Sequence, residues 1–143
     1  MRLARLALLT ILAWQIPALA AAAQAPEIIV RGDAARIEIE RIVGADNLDT
    51  ARLSPREVAE AIERIPRRRA PLDFWTAYRA HVQAWHNLAD LTDAARGSRE
   101  RSRIDAVAAA EEAIDTTFDE VERIARRYGA RLPAPAWQRL PTV

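Results

Sequence analysis

Of all the features of this sequence, the N-terminal segment most strongly limits what the chain can fold into. Arg2 and Arg5 precede an apolar run from Leu6 to Ile16, and alanine-rich sequence follows. A basic segment, a short apolar core and small residues beyond it are typical of a secretory signal peptide. A membrane-spanning helix needs about 20 consecutive apolar residues, roughly twice the length of this run. We therefore predict that residues 1–23 are a cleaved signal peptide and that the protein meets the membrane only through them.

The part that remains after cleavage at Ala20 or Ala23 is predicted to be one periplasmic or secreted domain of about 120 residues. The 143-residue sequence contains no cysteine, so neither a disulfide nor a lipidated thiol is expected despite the oxidising compartment. The domain must be held together by its core alone.

Charge and residue usage exclude several functional classes. The 21 basic residues, all arginine, nearly balance the 20 acidic ones, and loss of the two arginines of the signal peptide turns the net charge slightly negative. This balance argues against a nucleic-acid partner. The only methionine is Met1 and there is no cysteine, so bundle haem proteins with Met–His or covalent ligation are excluded, and no cofactor is predicted.

Capping signals and apolar spacing predict an all-α bundle of four helices, two short and two long. Residues 24–53 form a leader, in which Glu27–Val30 favours an extended lead-in. The segment from Asp33 to Val43 fits either a strand or a helix, and capping by Asp33 with Gly44 just beyond the end favours a helix of about ten residues.

Residues 54–129 form the predicted core of the bundle. Ser54, Pro55 and Glu57 have the pattern of a capping box, and this second helix is expected to end at Pro66. The third helix is expected to begin with Asp73 as its cap.

The two long helices are predicted to form an antiparallel pair. The third ends near Arg96, and Gly97 stops it. The fourth runs from Ser98 or Ser102 to Tyr128, with Gly129 as its stop, and the proline-rich residues 130–143 form an extended tail that contains Trp137.

The two histidines are the first candidates for chemistry. His81 and His86 lie five residues apart on the third helix, about 140° around its axis, so they cannot bind one metal ion together. His86 is expected in solvent beside Asp90. His81 lies on the apolar side and is expected to be buried, either as a hydrogen-bonded core residue or as part of a site. Glu111 occupies an apolar seam of the fourth helix. Either the seam rotates, so that the Glu111 carboxylate reaches solvent or an arginine of a neighbouring helix, or Glu111 forms a pH-responsive pair with His81.

Four carboxylates line one edge of the fourth helix: Glu112, Asp115, Asp119 and Glu122. They form either a weak cation or basic-partner surface, or a solvated face paired with arginines such as Arg123 and Arg126. The available serines are better explained as helix caps, and the sequence contains no phosphate loop or nucleophile elbow. The chain is therefore predicted not to be an enzyme.

The helix starts Leu53-Ser54-Pro55-Arg56-Glu57 and Leu91-Thr92-Asp93 resemble those of periplasmic helical chaperones and heavy-metal sensors of the envelope-stress type. The characteristic glutamine of the second motif is replaced by Arg96 or Ala95, and no histidine or methionine cluster accompanies it. The resemblance covers less than a tenth of the chain. The sequence is therefore assigned to no family.

Three functions follow as hypotheses, of which the third is a membrane-surface protein that uses the segment from Ile62 to Arg69. The first is a non-enzymatic protein that binds another envelope protein or a peptide. The second is a metal- or small-ligand-responsive periplasmic sensor centred on His81 and Glu111. The residues expected to serve the first function are exposed arginines and tryptophans, namely Arg67, Arg68, Arg69, Trp85 and Trp137.

Overall fold

The computed structural model describes residues 25–97 and 99–134, and the side chains from residue 32 onward. It contains four helices, α1 (Ala25–Asp46), α2 (Pro55–Glu63), α3 (Leu72–Ala95) and α4 (Arg101–Arg127), with no strand in the described ranges. The predicted all-α fold is confirmed. No helix within these ranges is both long and apolar enough to cross a membrane. The predicted signal peptide, Trp137 and most of the proline-rich tail lie outside the described residues.

Helices α3 and α4 form the predicted antiparallel hairpin. Gly97 between them has a φ of +77°, and Arg103 near the start of α4 donates to the carbonyl of Ala94 at the end of α3, at 2.8 Å. At the opposite end, Arg127 and Tyr128 both contact Asp73 at the start of α3. The two helices therefore run in opposite directions over their whole length.

Asp73 does not have the capping role that its position in the sequence predicts. Pro71 occupies the N-cap position of α3, and Asp73 lies in its first turn. Its carboxylate accepts hydrogen bonds from the hydroxyl of Tyr128 at 2.9 Å and from the guanidinium of Arg127 at 3.2 Å. The residue therefore joins α3 to the end of α4.

The capping box of α2 is confirmed. The Ser54 hydroxyl accepts from the Glu57 amide, and the Glu57 carboxylate accepts from the Ser54 amide at 2.8 Å. The helix ends at Glu63, earlier than predicted. Pro66 has no N–H to donate to the Ile62 carbonyl, and its ring would clash with that carbonyl if the helix continued. The Ile62 carbonyl instead accepts from the hydroxyl of Tyr78 on α3, at 3.3 Å.

The prediction for α1 was wrong at both ends. The expected extended lead-in at Glu27–Val30 is helical, and the helix continues through Gly44 to Asp46. The β-favouring side chains of the lead-in give only a weak local preference, which helix propagation overrides. Gly44 does not adopt the left-handed conformation of a helix stop. The bundle therefore has three long helices and one short one.

Gly44 provides a test of this assignment. An added Cβ at Gly44 would meet no atom within 4 Å, whereas Gly129 has a φ of +69°. We expect Gly44→Ala to raise the free energy of unfolding by about 0.5–1 kcal/mol, because alanine is the better residue inside a helix. Gly129→Ala is the control and should lower it by about 1 kcal/mol, because the left-handed conformation strains any Cβ. Urea denaturation measures both. Destabilisation by Gly44→Ala would contradict a helical Gly44.

The core lies where α1, α2 and α3 meet the C-terminal half of α4. Its largest fully buried side chains are Phe74 and Tyr78, whose rings stack with centroids 6.2 Å apart. Ile39, Ile42 and Val43 of α1 complete it from the other side. A smaller cluster of Leu88, Ala110 and Ile114 continues the core between α3 and α4.

Candidate functional site

All four helices contribute to one cavity, which is partly open to solvent and has a volume of about 380 Å³. We call it the Asp46 cavity, after the residue that ends α1 at its wall. The turn after α1 and the first residues of the tail, Leu132 and Pro133, also line it. The tail is held there because Asn47 donates to the carbonyl of Ala134 at 2.7 Å and the Arg131 amide donates to Glu40 at 2.9 Å.

His81 lies at the wall of this cavity and is buried, as its place on the apolar side of α3 predicts. The indole N–H of Trp85 donates to His81 Nε2 at 3.1 Å. Indole is only a donor, so Nε2 carries a lone pair and the imidazole proton resides on Nδ1. That proton faces the hydroxyl oxygen of Thr117 at 3.1 Å. The hydrogen bonds thus fix one neutral tautomer of His81.

Burial lowers the pKa of His81 to about 4, because the charged imidazolium loses its hydration there. A hydrogen bond to the carbonyl of Ile114 acts in the opposite direction and is the weaker effect. A proton on Nε2 would also face the N–H of Trp85, donor against donor. His81 is therefore neutral at physiological pH.

Asp46 is the functional candidate that the sequence reasoning missed. Its side chain is 5% exposed, and its Oδ2 lies 3.7 Å from His81 Nε2, beyond hydrogen-bonding distance. Asp46 Oδ2 has no hydrogen-bond partner among the described residues. A signal for it exists in the sequence: Ile39, Ile42, Val43 and Asp46 follow the spacing of one helical face. The expected stop at Gly44 placed Asp46 in a polar turn instead.

Burial raises the pKa of Asp46 to about 7, because the ionised carboxylate is deprived of water. Its position at the C-terminal end of α1 acts in the same direction, since the helix dipole disfavours a negative charge there. Asp46 and His81 therefore form a buried pair in which both groups prefer the neutral form.

The structure does not bring Glu111 to His81, so the hypothesised pair is not formed. Ala110 is buried and Glu111 beside it is exposed, whereas Ile114, Val121 and Ala125 further along α4 are buried. Small side chains can occupy the close α3–α4 contact, and the carboxylate reaches solvent. The side chains with polar groups that lie beside His81 are instead Trp85, Thr117 and Asp46.

The other predicted site residues are distributed over the surface. His86 lies 3.2 Å from Glu63, whereas Asp90, its expected partner, pairs with Arg56. Trp85 is half-buried and lines the Asp46 cavity. The exposed arginines Arg67, Arg68 and Arg69 lie in the turn between α2 and α3 and do not line that cavity.

Two of the four acidic residues along α4, Asp115 and Glu122, line the Asp46 cavity. Glu122 forms the predicted ion pair with Arg126, at 2.6 Å. Arg123 pairs with Glu120 rather than with the expected Asp119. The acidic edge is thus partly a paired surface and partly one wall of the cavity.

A second cleft lies beside the start of α2. Its volume is about 450 Å³, and Arg56, Asp93 and Arg96 lie on its walls. Arg56 pairs with Asp93 at 2.9 Å, and Arg96 pairs with the same carboxylate at 3.0 Å. These charges already have partners within the cleft, which distinguishes it from the Asp46 cavity.

Within residues 25–97 and 99–134, no group of three or more histidine, aspartate or glutamate side chains is placed to hold a metal ion. Comparison with known proteins gives no match for the chain among family models, curated proteins or solved structures. Function must therefore be argued from the Asp46 cavity and its residues.

Proposed function

We propose that this protein is an exported, non-enzymatic binding protein that holds a small organic ligand in the Asp46 cavity. The proposal retains His81 from the sensor hypothesis and replaces Glu111 by Asp46 as its partner. Export rests on the predicted signal peptide of residues 1–23.

One observation carries the proposal: the carboxyl oxygen Oδ2 of Asp46 is buried at the cavity wall without a partner among the described residues. Leaving a buried polar group unpaired costs about 1–3 kcal/mol. Such a cost is understandable where the group serves a ligand. A ligand that donates a hydrogen bond to Asp46 Oδ2 would remove this cost.

The walls of the cavity support binding of a molecule with an apolar body. Val43, Leu48, Trp85, Phe118 and Leu132 line it. A few polar groups in a mostly apolar cavity are typical of small-molecule sites, and 380 Å³ is near the small end of their range.

The His81 imidazole is not placed to transfer a proton to or from a ligand in the cavity. Both nitrogens of His81 are engaged, Nε2 by Trp85 and Nδ1 by Thr117. The Thr117 hydroxyl itself donates to the carbonyl of Ala113 at 2.8 Å. A general base needs a free lone pair directed at the substrate, and His81 does not offer one.

Three probes of similar shape and different charge test the proposal: 1-naphthylmethylamine, 1-naphthalenemethanol and 1-naphthoate. We expect at least one to raise the Tm of the purified protein in a saturable way, because a ligand at 100 times its Kd adds about 2.7 kcal/mol of stability. Thr50→Phe should abolish the effect, since Thr50 is exposed and lines the cavity.

Thr116→Phe is the matched control, because Thr116 is also exposed but does not line the cavity. It should respond to the probe as the unaltered protein does. If no probe raises the Tm, or if Thr50→Phe and Thr116→Phe respond alike, the Asp46 cavity is not a binding site.

A second candidate is the envelope-protein or peptide partner predicted from the sequence. Arg67, Arg68 and Arg69 are exposed and form no ion pair among the described residues, and Leu72 beside them is 65% exposed. This surface fits an acidic partner. The two candidates are separable, because such a partner would still bind the Thr50→Phe variant and would be lost when the three arginines are replaced by glutamine.

A further inference from the structure

We infer that the ligand of the Asp46 cavity is an organic cation, an amine carried on an apolar or aromatic body. The inference rests on the proposed function and specifies its ligand class. It follows from the charges that line the cavity, from the unpaired Asp46 carboxyl group and from the aromatic rings beside it.

The charged side chains that line the cavity within the described ranges are all acidic. Asp46, Asp115 and Glu122 line it, and no arginine does so among the described residues, in a chain with 21 basic residues. Asp115 has no ion pair within the described part of the chain, and Glu122 has Arg126 as its partner. An anionic ligand would meet repulsion here, whereas a cation would be attracted.

Asp46 gives this acidic wall a specific point of attachment. Its side chain is 95% removed from solvent, and Oδ2 is without a hydrogen-bond donor within the described residues. A buried carboxyl without a counter-charge keeps its proton. An ammonium group would supply both the donor and the counter-charge, so that Asp46 could bind it as a carboxylate.

The neighbouring rings explain why the amine should carry an apolar body. Trp85 and Phe118 line the same cavity as Asp46. Aromatic faces attract a cation electrostatically and also contact apolar groups well. The remaining titratable neighbour, His81, is neutral because its Nε2 accepts from Trp85, so it adds no positive charge.

Calorimetric titration with the three naphthalene probes tests the ligand class. At pH 8 the amine should bind about tenfold or more tightly than the alcohol, because a hydrogen bond between charged groups is stronger than one between neutral groups. The naphthoate should bind most weakly. Asp46→Asn should remove the preference for the amine.

Asp115→Asn tests the preference for a cation without altering a buried group, since Asp115 is exposed. It should weaken amine binding by about twofold to threefold and leave the alcohol unchanged. Asp105→Asn is the matched control, because Asp105 is exposed on the same helix and does not line the cavity.

The pH dependence gives an independent readout. Asp46, His81, Asp115 and Glu122 are the titratable groups that face the cavity. Affinity for the amine should fall about tenfold for each pH unit below 7, because Asp46 must lose its proton to bind a cation. This dependence should be absent from Asp46→Asn.

The outcomes separate this inference from the proposed function. If the alcohol or the naphthoate binds as tightly as the amine, the cavity is a ligand site and the cationic ligand class is wrong. A preference for the amine that is undiminished in Asp46→Asn, or amine binding that Asp115→Asn leaves unchanged, would also overturn the inference. If none of the three probes binds, the proposed function fails with it.

Discussion

Replacing Asp46 by asparagine is expected to make the free energy of unfolding rise by about 3 kcal/mol between pH 4 and pH 6.5. Without Asp46, the pH dependence of stability is dominated by His81, whose pKa is about 4 in the folded protein and 6.5 in the unfolded chain. Between these values the unfolded state binds a proton that the folded state does not. Stability therefore increases with pH across this interval and is constant above it.

Replacing His81 by glutamine should give the opposite slope. Asp46 has a pKa of about 7 in the folded protein and 3.8 in the unfolded chain, so the folded state now binds the extra proton. The free energy of unfolding should fall by about 4 kcal/mol as the pH rises from 4 to 7. Glutamine keeps an acceptor for the indole N–H of Trp85.

The unaltered protein should show a nearly flat profile between pH 4 and 6.5. Both states then hold one proton on this pair, on the His81 imidazole when unfolded and on the Asp46 carboxyl when folded. Urea denaturation over this range measures all three profiles. Glu111→Gln is the control, and its profile should match that of the unaltered protein. Parallel profiles for Asp46→Asn and His81→Gln would contradict the assigned protonation states.

Replacing Phe74 by alanine is expected to lower the free energy of unfolding by about 3–5 kcal/mol. Phe74 is fully buried and stacks on Tyr78 where α3 meets α1 and α2. Loss of the ring removes its contacts and leaves a void that the close-packed core cannot fill.

Ile104→Ala is the control for this variant. Ile104 also carries a large apolar side chain, but it is 57% exposed near the start of α4, so its truncation should change stability by about 0.5 kcal/mol or less. Denaturant unfolding compares the two midpoints. Equal losses for Phe74→Ala and Ile104→Ala would mean that the core does not lie at Phe74.

Local features of the sequence predicted much of the fold because their physical effects are local. The capping box of Ser54 and Glu57 needs only four consecutive residues, and it is present. Gly97 and Gly129 adopt the left-handed conformation that stops a helix. Gly44 was expected to stop α1 for the same reason, and it does not. Whether a helix continues past a glycine depends on the packing of the residues beyond it.

The candidate site was less predictable because it depends on tertiary contacts. The burial of His81 follows from its position on one face of α3. Its partner does not, since Asp46 approaches it from another helix, 35 positions earlier in the chain. Glu111 differs from the buried Ala110 by one position, and periodicity alone does not fix the rotation of a helix to that precision.

The first residues of the tail determine when the Asp46 cavity can form during synthesis of the chain. Val43 and Asp46 end α1, whereas Leu132 and Pro133 follow α4, and all four line the Asp46 cavity. During synthesis, the end of α1 emerges more than 80 residues before the segment that completes the cavity wall. A chain that ends before Leu132 therefore lacks one wall of the cavity in which we propose that a ligand binds. Occupancy would distinguish finished molecules from truncated ones and protect the finished ones from global unfolding and proteolysis.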